Sequence, residues 1–306
     1  MKTAFLFPGQ GAQSAGMGMD LYDNIVIYKQ TFDMCCEGAG VDLKRACFEG
    51  WRLDESEIIQ PAIFAHSISL FSVLLSEGCD ADVYAGLSLG EYTALAAAGV
   101  FGIQGCAALV RKRGSIMDGA YPKGEGGMLS VIGFTVDEVE DALDGFQNSY
   151  VANHLSEMQT VIAGSTEELC KLKELFEQKG AKMAAMLSVA GPSHAPLLEG
   201  AAGEFSRVLG TFDLGGMRKT VYSNVLGAPY EEDSDIRKLL ANQMCRRVKW
   251  HDCVEHMIAS GVERFVEIGP GNVLSKLVKR RVEKRAEVES VRDLTTLDKF
   301  LSGNKQ

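Results

Sequence analysis

The chain has 306 residues, of which 46% are hydrophobic and 24% charged, and a formal net charge of −10. That length and apolar content bury a full core in two domains, or in one large domain with an insertion, and the acidic balance argues against broad nucleic-acid binding. The eight cysteines are scattered, with no Cys-x-x-Cys pair, a usage that fits a reducing compartment and neither a disulfide framework nor a zinc site.

The apolar run from Met1 to Pro8 is too short for a signal peptide. The longest apolar stretch, about 94–103, is interrupted by Gly99 and Gly102 and falls far below the ~20 residues that cross a bilayer. The expectation is a cytoplasmic protein with no membrane contact. Ala4-Phe5-Leu6-Phe7 reads as an all-apolar strand of a parallel sheet covered on both faces. It runs into Pro8-Gly9-Gln10-Gly11-Ala12-Gln13. A dinucleotide fingerprint fails there, because Ser14 stands where its third glycine belongs. What remains is a tight turn, or a loop whose glycines let backbone N–H groups approach a ligand oxygen. Residues 17–50 read as helical and polar. Gln60-Pro61 is predicted to open a helix with proline at its first position, and His66 within it reads as a packed core residue.

Residues 82–85 form a short strand, followed by Gly86-Leu87-Ser88-Leu89-Gly90-Glu91-Tyr92 and an Ala-rich helix. This is Gly-x-Ser-x-Gly in the strand–turn–helix context of a nucleophile elbow. A serine in a strained turn presents its Oγ, and the flanking glycines let strand and helix pass closely. N–H groups at the helix start then face any oxyanion beside Ser88. An ordinary strand-to-helix turn uses the same residue types.

The next helix, about 104–118, carries Arg113 with Leu109 and Val110 behind it and Ile116 and Met117 ahead. These are its face neighbours on a helix, so Arg113 faces inward. A buried guanidinium requires a partner: a distant Asp or Glu, or the carboxylate of a substrate held in a bidentate clamp. After a Gly-rich break at 122–127, strands and helices alternate as βαββαβ, the ferredoxin-like unit. The domains are therefore placed at 1–126 with 191–306, and at 127–190. His194 lies between Pro192 and Pro196 where the chain leaves this insert. It is a solvent-exposed loop histidine or a general base for Ser88. None of the five histidines shows zinc spacing. Further strands are expected at 221–225 and 264–268. The helix after Gly271 carries Lys279, Arg280 and Lys284, either a solvated face or a docking patch for an acidic partner.

Taken together and in this order, several stretches resemble the malonyl-CoA:acyl-carrier-protein transacylases over essentially the whole chain. They are Phe7-Pro8-Gly9-Gln10-Gly11-Ala12-Gln13, Gln60-Pro61-Ala62-Ile63, Gly86-Leu87-Ser88-Leu89-Gly90-Glu91-Tyr92, Arg113-Gly114, Pro192-Ser193-His194, Tyr222-Ser223-Asn224-Val225 and Glu267-Ile268-Gly269-Pro270-Gly271. The resemblance implies an α/β fold, an α/β-hydrolase-like large domain with a ferredoxin-like small domain. It implies Ser88 as nucleophile, His194 as its base, Arg113 as clamp for the malonyl carboxylate, and the N–H groups of Gln10 and Leu89 as oxyanion hole. Malonyl-CoA and holo-acyl carrier protein are the implied partners. No cofactor is expected, the CoA thioester being the substrate, and the chain is expected to be a monomer. Leu87 stands where the family often has His. Lys249 stands before Trp250, where some members carry a Gln proposed to orient the histidine. A lysine cannot accept the Nδ1 proton, so a backbone carbonyl is the other candidate, and a Ser–His dyad is expected. The runner-up reading is a serine hydrolase, an esterase or patatin-like enzyme using the same elbow.

Overall fold

The structure, a computed structural model, describes residues 1–282 and 285–303. Its strands are β1 (Lys2–Phe7), β2 (Val83–Gly86), β3 (Gly126–Ile132), β4 (Ser149–Ser156), β5 (Gln159–Ser165), β6 (Met183–Met186), β7 (Thr220–Ser223), β8 (Ala228–Pro229), β9 (Val262–Ile268) and β10 (Glu287–Val291). The chain divides into two compact units, 1–114 with 212–222 and 255–306, and 115–211 with 223–254. The second unit reaches past the ferredoxin-like segment expected at 127–190.

In the first unit the strands run in the order β10-β9-β1-β2-β7, and every pair is parallel. Ala4 to Phe7 and all of β2 are buried, which explains why both read as unbroken apolar runs. Phe5, Phe7, Phe71 and Tyr84 pack around each other with ring centroids 5.6–6.3 Å apart. The register sets Phe7 opposite Gly86. The loops that leave β1 and β2 therefore start side by side at the carboxyl ends of parallel strands, where open α/β sheets place their sites.

The helix Ser56–Ser76 corrects two expectations. It starts before Gln60, so Pro61 lies inside it rather than at its first position; Ile58 and Ile59, both buried, extend the apolar run past the proline. With a mean hydropathy of 1.8 it is also a longer apolar stretch than 94–103. It is long and apolar enough to cross a membrane, yet 89% of that window is buried inside the protein, which identifies a core helix.

The second unit holds an antiparallel sheet in the order β4-β5-β3-β6. Helix Val136–Ala142 follows β3, and helix Thr166–Gln178 follows β5. Both start on caps written in the sequence. Thr135 forms a capping box with Glu138, and Ser165 accepts from the Glu168 N–H. One face of the sheet packs on these helices through Leu129, Ile162, Leu169 and Phe176. Met128, Ala152, Val161 and Ala163 cluster with Ala195, which anchors the segment carrying His194.

Candidate active site

Three passes of backbone crowd together at the elbow. A Cβ on Gly86 would lie 1.9 Å from the carbonyl carbon of Gly90, one on Gly90 2.0 Å from the Phe7 carbonyl oxygen, and one on Gly9 2.4 Å from the Leu87 carbonyl oxygen. No side chain fits at these positions, so their glycines follow from packing rather than from turn statistics. The Leu87 N–H donates to the Phe7 carbonyl at 3.1 Å and locks the elbow to the end of β1. Ser88 is held at φ 53° and ψ −106°. It precedes helix Leu89–Ala97, but its hydroxyl makes no capping bond. Its Oγ accepts instead from Arg113 Nη2 at 3.1 Å.

Arg113 sits on helix Ile103–Gly119 and is 1% exposed, with Leu109 and Val110 buried behind it. Its Nη1 donates to Gln60 Oε1 at 2.8 Å, and the guanidinium carbon lies 5.2 Å from the centre of the Tyr92 ring. Close packing brings these groups together. A Cβ on Gly114 would lie 2.2 Å from the Ser56 carbonyl oxygen, so the two helices touch through backbone at that point. Arg111 behaves oppositely. It turns to Glu57 and to the carbonyls of Ala39 and Gly40. The helical spacing thus separated the inward arginine from its neighbour.

Gln10 follows Gly9 in the loop after β1, and its Nε2 donates to Ser56 Oγ at 3.3 Å. Leu89 is buried and is the first residue of the elbow helix, where N–H groups have no partner within the helix. Behind the loop, Gly269 adopts φ 138°, and a Cβ there would meet Ser67 Oγ at 2.3 Å and Pro8 Cγ at 2.8 Å. The Glu267 carboxylate accepts from the N–H groups of Leu274 and Ser275 at 3.1 and 2.7 Å. Burial pushes its pKa up, and those donors pull against it. This buttress accounts for the Glu267-Ile268-Gly269-Pro270-Gly271 stretch.

His194 belongs to the second unit and is 4% exposed. Its backbone takes φ 60°, and its N–H donates to the Met244 carbonyl at 2.9 Å. Nδ1 lies 2.6 Å from the Gln243 carbonyl oxygen. A carbonyl only accepts, so Nδ1 carries the hydrogen and Nε2 is the basic nitrogen. The orienting group is therefore a backbone carbonyl, and it comes from Gln243, not from position 249. The Lys249 N–H donates to the Asn224 carbonyl at 2.8 Å. His194 also lines a cavity of about 330 Å³ with Tyr150, Cys245, Arg246 and Arg247. Arg247 pairs there with Glu140, and Arg246 with Glu199 at 3.3 Å.

The structure thus gathers Ser88, Arg113 and Gln10 in one unit and seats His194 on Gln243 in the other. Sequence reasoning missed Gln60 and Tyr92 as partners of Arg113, and Gln243 as partner of His194. Gln60 and Tyr92 lie inside quoted stretches, whereas a carbonyl leaves no mark in a sequence. Lys279 and Arg280 are exposed on helix Val273–Val282, and Arg281 beside them pairs with Glu255; Lys284 lies outside the described residues. Among the described residues, no group of three or more His, Cys, Asp or Glu could hold a metal ion.

The acyl transferase domain family matches residues 4–305. A malonyl CoA-acyl carrier protein transacylase of Bacillus subtilis (strain 168) is 37% identical over 306 residues, spanning 97% of this chain and 95% of that protein. The crystal structure of a malonyl CoA-acyl carrier protein transacylase from Clostridium perfringens is 36% identical, with a TM-score of 0.95, covering 100% of this chain and 98% of that one. A malonyl-transacylase in complex with its type II PKS acyl-carrier protein superposes with a TM-score of 0.94 at 33% identity, covering 99% of this chain and 100% of that one.

Proposed function

The chain belongs to the acyl transferase domain family, and from that premise we propose that it is a malonyl-CoA:acyl-carrier-protein malonyltransferase of fatty-acid biosynthesis. The observation that carries the reading is the buried Arg113 guanidinium, 3.1 Å from Ser88 Oγ. It sets a fixed positive charge beside the nucleophile, where an acyl group ending in a carboxylate makes a charge-assisted pair.

His194 Nε2 takes the proton from Ser88 as Oγ attacks the malonyl-CoA thioester. The tetrahedral oxyanion is held by the N–H groups of Gln10 and Leu89, each such donor typically contributing ~3 kcal/mol. CoA leaves with the proton from His194 and a malonyl-serine ester remains. The phosphopantetheine thiol of the carrier protein then attacks, and the steps reverse in ping-pong order. Arg113 selects the dicarboxylic acyl group, because an acetyl group offers that guanidinium no anion. The reaction calls on no cofactor, since the CoA thioester is itself the substrate. The acidic carrier docks through the exposed Lys279 and Arg280, and the chain works as a cytoplasmic monomer.

The test is incubation with labelled malonyl-CoA, with and without holo-carrier protein. Label on Ser88 that moves to the carrier is expected. Release of free malonate alone would identify a hydrolase, and absence of label on Ser88 would refute both readings.

A further inference from the structure

We propose that Arg113 restrains Ser88 until an acyl group bearing a carboxylate arrives, so that seating the substrate also releases the nucleophile. The inference rests on the reading of Ser88 as nucleophile and Arg113 as carboxylate clamp. Its starting point is that both terminal nitrogens of the guanidinium are engaged. Nη1 is held by Gln60 Oε1 at 2.8 Å, and Nη2 donates to Ser88 Oγ at 3.1 Å. The Tyr92 ring, 5.2 Å from the guanidinium carbon, bounds its movement on a further side. Arg113 is 1% exposed, so water screens this contact little, and a hydrogen bond from a charged donor is strengthened in such surroundings.

The donated bond draws electron density from an Oγ lone pair, and nucleophilicity falls as basicity falls, as thiolates illustrate. A carboxylate that pairs with Nη2 competes with Oγ for the same nitrogen. It prevails because a bond between two ions is stronger than one to a neutral hydroxyl. Oγ is then released from the guanidinium in the event that seats the malonyl group. An acyl group without a carboxylate meets a serine still held by the arginine. Discrimination therefore acts on the rate of acylation as well as on binding.

A neutral probe without a carboxylate, phenylmethanesulfonyl fluoride, tests this. Ser88 Oγ forms a bond to sulfur, fluoride leaves, and the Oγ proton passes to the base. Sulfonylation of Ser88 is followed by intact mass in the wild type, Arg113→Met and Gln60→Glu, with Ser88→Ala as blank. Gln60→Glu keeps the arginine but sets beside it a carboxylate whose second oxygen takes Nη2 in a bidentate pair, drawing that nitrogen off Ser88. Both variants should react on the order of tenfold faster than the wild type, the effect of losing one hydrogen bond from a charged donor. Equal or slower reaction in the variants overturns the proposal. If one variant fails to fold, judged by its melting curve, the other decides. Absence of modification at Ser88 in the wild type and in both variants refutes the nucleophile assignment itself, a result distinct from equal rates.

Discussion

Gly90→Ala should disable the elbow while leaving the chain folded. The added Cβ would lie 2.0 Å from the Phe7 carbonyl oxygen, 2.8 Å from its carbon and 3.0 Å from the Pro8 carbonyl oxygen. Ordinary contact begins near 3.4 Å, so helix and strand must part by about 1.4 Å. The colliding atoms are backbone, held by the Leu87–Phe7 hydrogen bond and by the parallel pairing of Phe7 with Gly86. Overpacking of this kind costs about 1–3 kcal/mol, which lowers the melting midpoint by a few degrees. The larger effect is on rate, because a misplacement of about 1 Å in a reacting group costs on the order of 10²-fold. Malonyl transfer to carrier protein and the melting midpoint are measured beside Gly119→Ala, whose Cβ meets nothing within 4 Å. Transfer within twofold of wild type, at an unchanged midpoint, would show that the close approach does not set the site.

Arg113→Ala should lower the malonyl-over-acetyl ratio of kcat/KM by on the order of 10²-fold or more; equal losses for both acyl groups would remove the clamp. Burial holds the His66 ring neutral, its pKa pushed down to about 4, while its Nδ1 meets the Tyr28 hydroxyl. The unfolded ring binds a proton below about pH 6.5 and the folded ring refuses it to about pH 4. Stability should therefore fall by up to about 3 kcal/mol as pH drops through that window. Urea midpoints should lose that part of their pH slope in His66→Gln, and parallel curves for the two proteins would contradict it. Glu267→Ala strips the acceptor from two N–H groups and should cost about 2–3 kcal/mol in urea unfolding, with Glu267→Gln losing less; an unchanged midpoint would deny the buttress. Charge reversal at Lys279 and Arg280 should slow transfer to carrier protein by about tenfold at low salt. Malonyl-serine formation should stay normal, and unchanged transfer would move the docking surface elsewhere.

The parts legible in the sequence were those enforced by local geometry. The elbow announces itself because Gly86 and Gly90 face backbone that excludes any Cβ. Arg113 stands out because helical spacing put Leu109 and Val110 on its face. The ferredoxin-like unit is marked by Thr135 and Ser165, whose caps fix where its helices begin. Long-range partners left weaker traces. Gln60 meets Arg113 only because Gly114 lets two helices touch. β10 escaped notice because Glu287 and Glu289 make it a charged edge strand, held by Arg264 from the neighbouring strand. Position 249 drew attention through its side chain, yet the group that orients His194 is the carbonyl of Gln243.

The backbone sets Ser88 and His194 apart from the rest of the chain, each within its own unit. Among the described residues, the non-glycine positions with positive φ are Arg52, Ser88 and His194. Arg52 lies in a surface turn and pairs with Glu55 three residues on, so its conformation has a local explanation. Ser88 is partly exposed and His194 is buried; at either, such a conformation costs about 1–3 kcal/mol and persists only when its surroundings over-determine it. At Ser88 the crowding of Phe7, Leu87 and Gly90 does so, and it leaves the hydroxyl out of the helix cap it would otherwise serve. At His194 the carbonyls of Met244 and Gln243 hold main chain and ring together, and they leave Nε2 as the nitrogen that can take a proton. At both residues the strained backbone is therefore set by its surroundings, as an over-determined conformation requires.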